Sequence, residues 1–293
     1  MEDLQNTPHF LWQPSAWLRV RGEDALNFLQ GQLTNDLKNL MVGKAVYGLW
    51  LNQKGKVVAD SFVIRVGEEE FWVGAYSSEA AIIRQRLENF IIADDVTIDD
   101  ETAAWGGCTF FSEASRAELA AAYPGGVIFR GRRDQSAHWE WIAPKAQWEA
   151  ARAKQSGQAA LPADELERRR IAAGIPAIPR EIGPTDLPNE GGLDRDAVSY
   201  TKGCYLGQEV MARLKAMGQV RRRLHRVEMA GEVPILPAPL WAGDRQVGEL
   251  RSAVAHAGGS VGMAMVTLMH VPADRKLALQ QGGSAMITLN SVV

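Results

Sequence analysis

Two strand-length apolar runs, Val46 to Trp50 and Val57 to Val66, face each other across Asn52-Gln53-Lys54-Gly55. A short loop ending in glycine joins antiparallel neighbours, so this segment commits the chain to a sheet built through hairpins. Phe71 to Ala75 is a third strand-length run. Ala80, Ile83 and Leu87 then recur at helical spacing, and Val96-Thr97-Ile98 returns to strand character. Upstream, Leu26, Leu29 and Leu33 fall at i, i+3 and i+7, which gives a helix one buried face. The order β-β-β-α-β predicts an α+β fold, with helices packed on antiparallel sheets.

A similar unit follows. It comprises an Ala-rich helix over Glu113 to Ala122, strands near Val127 to Arg130 and Trp139 to Ala143, and a helix from Ala146 to about Gln155. Ser156-Gly157-Gln158-Ala159-Ala160-Leu161-Pro162 reads as a turn. Asp164 to Ala173 reads as a helix stopped at Gly174, with Pro176 beyond it. Ile175 to Asn189 carries Pro176, Pro179, Pro184 and Pro188 and reads as a structured loop. Loops of that length carry function or wrap one subdomain over another. After Arg223 the texture changes to short runs separated by Gly and Pro: Leu224 to Met229, Gln246 to Val254, Ser260 to Val266 and Ala285 to Leu289. That pattern predicts a small antiparallel β-barrel. The expected domains are therefore 1–224 and 225–293.

At 293 residues the chain is long enough to bury a substantial core. A net charge of −3 gives no general reason to bind nucleic acid or acidic membranes, and neither is an expected partner. Cys108 and Cys204, the two cysteines, cannot form a disulfide framework or a structural zinc site unaided. Reduced thiols in a cytoplasmic protein are the simpler account. The Met1-Glu2-Asp3-Leu4-Gln5 start resembles no targeting peptide, and no run is long enough to span a bilayer. The five histidines have no metal-ligand spacing, and no phosphate-binding glycine loop or dinucleotide fingerprint occurs. No resident metal is expected.

The chemistry concentrates in Lys202-Gly203-Cys204-Tyr205-Leu206-Gly207-Gln208-Glu209, followed by Val210-Met211-Ala212-Arg213-Leu214-Lys215. A thiol acts as nucleophile or ligand in its thiolate form, which nearby cations and a helix start favour. Lys202 and Arg213 supply the charge, and Gln208 opens a helix. Gly203 and Gly207 permit a sharp bend and close approach of a ligand. A buried structural cysteine is the competing account. Cys108, inside an apolar strand, reads as core.

This octet, with Arg221-Arg222-Arg223 beyond it, resembles the KGCYxGQE signature of the YgfZ/IBA57 family, folate-binding-type proteins related to the T-protein of the glycine cleavage system. Gly22 to Asp36 (GEDALNFLQGQLTND) and Leu51 to Asp60 (LNQKGKVVAD) resemble two further family segments, in register and order. The resemblance implies α+β subdomains around a central pocket, with a C-terminal barrel. It implies a role in maturing or repairing iron–sulfur proteins, beside a scaffold or carrier protein and a folate-like ligand. Cys204 carries over as the family's signature cysteine. One thiolate cannot hold a cluster alone, so any iron–sulfur cluster would be held transiently with ligands from a partner.

Around that thiol, Lys202, Gly203, Tyr205, Gly207, Gln208 and Glu209 would shape the loop. Lys202 and Arg213 would hold an anionic group or tune the sulfur, or else lie solvated. Tyr205 would stack on a flat ring or pack. Glu209 would serve the site or simply the helix start. Asn35 would line a pocket or cap the first helix. Asp60 aligns with the T-protein aspartate beside the folate's reactive nitrogen, the residue that a tetrahydrofolate-dependent one-carbon transferase would need. That transferase is the alternative function, and a folate-sensing binding module is a third. Against folate stands Ala172-Ala173-Gly174, where folate-using relatives carry a Glu-Ala-Gly triplet that binds the pterin ring. Leaving those ring donors unpaired costs about 1–3 kcal/mol. Glu181 and Glu190 are the nearest acids able to substitute. Arg168-Arg169-Arg170 and Arg221-Arg222-Arg223 are solvated faces or dock an acidic partner.

Overall fold

The computed structural model of the chain describes residues 7–112, 116–154 and 160–293. The expected helix start at Glu113, the helix end at Gln155, the turn from Ser156 to Ala159 and the Met1-to-Gln5 start lie outside the described residues. The first part runs β1 (His9–Trp12), β2 (Ala16–Arg21), α1 (Ala25–Gln32), β3 (Ala45–Leu51), β4 (Val57–Arg65), β5 (Glu70–Ala75), α2 (Ala80–Glu88) and β6 (Thr97–Asp100). Next come β7 (Trp105–Phe110), α3 (Arg116–Ala122), β8 (Val127–Arg130), β9 (Trp139–Pro144), α4 (Lys145–Lys154) and α5 (Ala163–Ala172). A long loop leads to α6 (Gln208–Met217) and β10 (Arg222–Met229). The last strands are β11 (Ala238–Ala242), β12 (Arg245–His256), β13 (Gly259–Thr267), β14 (Lys276–Leu277) and β15 (Ile287–Val292).

The α+β architecture is the expected one. Strands β3-β4-β5-β2-β6 form one antiparallel sheet and β1-β7-β9-β8 a second. Alternation along each strand sends side chains to opposite faces, which makes four layers. Phe28, Leu29 and Leu33 of the α1 region and Ile83 and Leu87 of α2 cover one face of the first sheet, against Val63, Phe71 and Val73. Its other face meets the second sheet through Trp17, Phe62, Trp72, Trp12, Phe129 and Ile142. Leu119 of α3 and Trp148 of α4 close the outside over Phe110 and Trp141. Cys108 is buried in this last cluster. Each large side chain removed from water contributes about 1.5–3 kcal/mol.

The C-terminal strands form a six-stranded antiparallel sheet in the order β11-β12-β13-β10-β15-β14. Trp241 and Ala278 exchange backbone hydrogen bonds of 2.8 and 2.9 Å, which brings the sheet's two ends together. The result is a nearly closed barrel filled by Val227, Leu240, Leu250, Ala264, Leu277 and Leu289.

Between helix α5 and the barrel, the proline-bearing loop holds one 3-10 turn at Pro188–Gly191. Buried ion pairs fix it on both sides. Glu181 takes Arg170 at 2.6 Å, and Asp186 takes Arg251 at 2.6 Å and Arg222 at 3.0 Å. Glu190 takes Arg222 at 3.0 Å.

Candidate functional site

The thiol loop sits where α1 ends and the β3–β4 hairpin turns. Cys204 is exposed. Its neighbours are tightly fixed. Lys202 Nζ donates to the carbonyls of Gln30, Leu33 and Asn35 at 2.6, 2.7 and 2.9 Å. Gln30 and Leu33, in the last turn and at the C-cap of α1, have carbonyls that the end of an α-helix leaves without intrahelical partners. Burial pushes this ammonium down to about 8, with Asp36 pulling the other way. Its remaining face lies 5.1 Å from the Tyr205 ring. All three N–H groups of Lys202 are spent on backbone, which leaves none to hold an anion. Lys202 fastens the loop to α1.

Further fastening comes from the loop backbone. Leu206 N–H donates to Gly31 O at 3.3 Å, and Tyr205 N–H donates to Gln208 Oε1 at 3.1 Å. Tyr205 is buried, and burial raises its phenol to about 12. Packing is the task the structure gives it. Gly207 sits in the left-handed region at φ +87, where a Cβ would approach Asn52 O at 2.8 Å, so glycine is required there. Gly203 is different: a Cβ on it would meet nothing within 4 Å, and the expected steric demand is absent. Glu209 lies exposed in the first turn of α6, where the helix dipole favours a carboxylate, and Arg213 is exposed on the same helix.

A cavity of about 290 Å³ opens elsewhere, where both sheets meet α5 and the loop after it. Asp60, Tyr47, Tyr76, Arg132, Glu167 and Arg180 are among its lining residues; Cys204 is not. The Asp60 side chain is buried on β4, accepting from Tyr47 O–H at 2.9 Å and from Ser78 O–H. Burial raises its pKa above the ordinary carboxylate value, opposed by the Ser78 and Tyr47 hydrogen bonds and by Arg132. Such a group can hold or release a proton facing a ligand atom. Burial also raises the phenols of Tyr47 and Tyr76 well above their usual range. Asn35 does not enter the cavity lining. Its amide donates to Tyr47 O at 2.9 Å and Asp196 O at 3.0 Å, while its own carbonyl receives Lys202. It is the strut that joins cavity wall and thiol loop.

The acids that sequence offered as substitutes for position 172 are not available. Glu181 is enclosed by Arg170, the Ala177 N–H at 2.7 Å and the Ser252 hydroxyl, and Glu190 is held by Arg222 and the Leu187 N–H at 2.8 Å. Ala172 itself is exposed at the end of α5, outside the cavity lining. Glu167 does line the cavity, but pairs with Arg170 at 2.6 Å and with Arg180. Against the opposing effect of burial, those arginines hold it below the ordinary carboxylate value. The arginine run of α5 is likewise absorbed internally. Arg168 and Arg169 pair with Glu165 at 2.7 and 2.9 Å, so the run is not a free docking face.

Tyr47, Ser78, Tyr76 and Arg132 were not singled out from sequence. They come from three places, strand β3, the loop after β5 that carries both Tyr76 and Ser78, and the β8–β9 loop, and no local spacing links the three. The one available signal was Gly131-Arg132-Arg133, a basic pair in a loop between two strands.

Comparison with known proteins matches this geometry. Residues 14–123 match the model of the GCVT N-terminal domain, and residues 221–290 match the CAF17 C-terminal beta-barrel domain. The crystal structure of the glycine cleavage system aminomethyltransferase T from Bartonella henselae superposes with a TM-score of 0.82 at 18% identity, covering 98% of this chain and 87% of that one. The fold is therefore that of the aminomethyltransferase class. Among sequence relatives, the mitochondrial iron-sulfur cluster assembly factor IBA57 of Homo sapiens is 29% identical, over 85% of this chain and 74% of its own length. The tRNA-modifying protein YgfZ of Edwardsiella ictaluri is 28% identical over 98% and 92%, and that of Sodalis glossinidius 26% over 90% and 88%. Together these matches support the YgfZ/IBA57 family, related to aminomethyltransferase.

Proposed function

We propose that the chain assists the maturation or repair of iron–sulfur proteins, with Cys204 as its working thiol. Relatives named for iron–sulfur cluster assembly and for tRNA modification support a role in one of these two processes. The observation that favours the first is an exposed sulfur on a loop held by the Lys202 ammonium and by the backbone N–H groups of Tyr205 and Leu206. A rigid, accessible thiol is suited to meeting a partner's cluster, which is cargo here. Among the described residues no group of three His, Cys, Asp or Glu is placed to hold a metal ion. The remaining cluster ligands in this reading come from a scaffold or carrier protein.

Tetrahydrofolate bound as in the transferases does not fit the cavity. Asp60 supplies the acid for the reactive-nitrogen end, but Glu167, Glu181 and Glu190 are engaged by arginines and Ala172 offers a methyl group. The cavity remains the proposed place for a folate-like ring held by other contacts. The deciding experiment is recovery of an iron–sulfur enzyme's activity in cells lacking the protein. Cys204→Ser should abolish recovery while the protein remains folded, and full recovery by that variant defeats the proposal.

A further inference from the structure

A second cleft, of about 390 Å³, lies across Tyr47 and Arg132 from the Asp60 cavity. Both residues line both spaces, and their stacked pair, 4.1 Å from guanidinium carbon to ring centre, forms the partition. The second cleft has a different chemistry. Lys44, Arg116, Arg130 and Arg132 line it, together with the aromatic side chains of Tyr47, Phe62, Phe129 and Trp139. No Asp or Glu does. In a chain with net charge −3, four cations around one acid-free hollow is a concentration that folding alone does not need.

Three of those cations are uncompensated. Arg132 pairs with Asp196, but Lys44, Arg116 and Arg130 have no carboxylate within ion-pair reach among the described residues. Arg116 is nonetheless held in place. Its Nε donates to Ile128 O at 3.1 Å, and its terminal nitrogens lie over Gly43, where a Cβ would meet one at 3.1 Å. The two-nitrogen fork that recognises phosphate oxygens is thus presented without a partner. Arg130 lies 3.9 Å over the Trp139 ring, which keeps its guanidinium flat. A flat cation on an aromatic base is a platform for a planar ring.

We infer that this cleft binds a nucleoside phosphate, its ring against the Arg130–Trp139 pair and its phosphate between Lys44 and Arg116. A single carboxylate would neutralise one of the three free cations, whereas a phosphate monoester near neutral pH carries close to two charges on three oxygens. The volume also suits a mononucleotide better than a bare anion. The assignment is independent of the role given to Cys204.

Calorimetric titration of the full chain tests it, using AMP, GMP, CMP and UMP separately, with adenosine and inorganic phosphate as the ring-only and anion-only probes. At least one monophosphate should bind saturably at one site, and about tenfold or more tighter than either partial probe. The exposed double variant Arg116→Gln/Arg130→Gln should weaken it about 30-fold or more, whereas Asp60→Asn should bind it as wild type does. Absence of saturable binding by all four monophosphates overturns the inference. So does equal affinity for phosphate alone, wild-type affinity in the double variant, or a comparable loss in Asp60→Asn, which would put the nucleotide in the other cavity.

Discussion

Replacing Lys202 by Met keeps most of the aliphatic stem and removes the ammonium that fastens the thiol loop. Three charge-assisted hydrogen bonds, at about 2 kcal/mol each, are lost. Against them stands the burial of the charge, expressed as the fall from 10.5 to about 8 and equivalent to about 3 kcal/mol before discounting for solvent at this half-buried side chain. The variant should therefore unfold about 3 kcal/mol more easily in urea. Hydrogen exchange gives the local reading. Amide protection at Tyr205 and Leu206 should fall, because their bonds to Gln208 and Gly31 depend on the loop staying against α1. Protection in the barrel strands β12 and β13 should be retained under native conditions. A stability change below about 0.5 kcal/mol, or unchanged exchange at Tyr205 and Leu206, would refute the fastening role.

Two other outcomes follow from the same geometry. Gly207→Ala should destabilise the protein by about 1–3 kcal/mol and disturb the start of α6, since it forces a side chain into a left-handed conformation against Asn52 O; Gly203→Ala, opening onto empty space, should be within about 0.5 kcal/mol of wild type, and denaturant titration compares the pair. Asp60→Asn should leave stability at pH 7 equal or higher, because the buried carboxylate holds its proton more tightly than in the unfolded chain. The folded state then binds more protons above pH 3.8, so wild-type stability falls as pH rises through that window, and the advantage of the Asn variant should vanish towards pH 4. An Asn variant less stable than wild type at pH 7 would contradict it.

How much of this was legible in the chain depends on how far apart the cooperating residues lie. The β3–β4 hairpin, α1 and α2 announce themselves because each is specified by a local period. Strand β2 escaped notice although it is central in its sheet. Ala16, Trp17, Leu18 and Val20 are all buried, so polar alternation is confined to Arg19 and Arg21, which pair with Glu70 and Asp99. Strand β14, two residues long, has no period to detect. The arginine run of α5 carried its answer locally, with Glu165 three and four residues before Arg168 and Arg169. Lys202 carried none, since its acceptors lie at Gln30, Leu33 and Asn35, on the far side of both sheets in chain order.

The thiol and the cavity are two features tied by one short relay. Asp60 accepts from Tyr47 O–H, the Tyr47 carbonyl accepts from Asn35, and the Asn35 carbonyl accepts from Lys202, two residues before Cys204. Every joint in that relay is a hydrogen bond between half-buried or buried groups, so a ligand that drew the Tyr47 ring or Asp60 aside would strain the anchor of the thiol loop. Coupling of this kind needs no direct contact between ligand and sulfur. It explains why a folate-type fold can retain a furnished cavity while the residue on which the proposed function turns lies outside it.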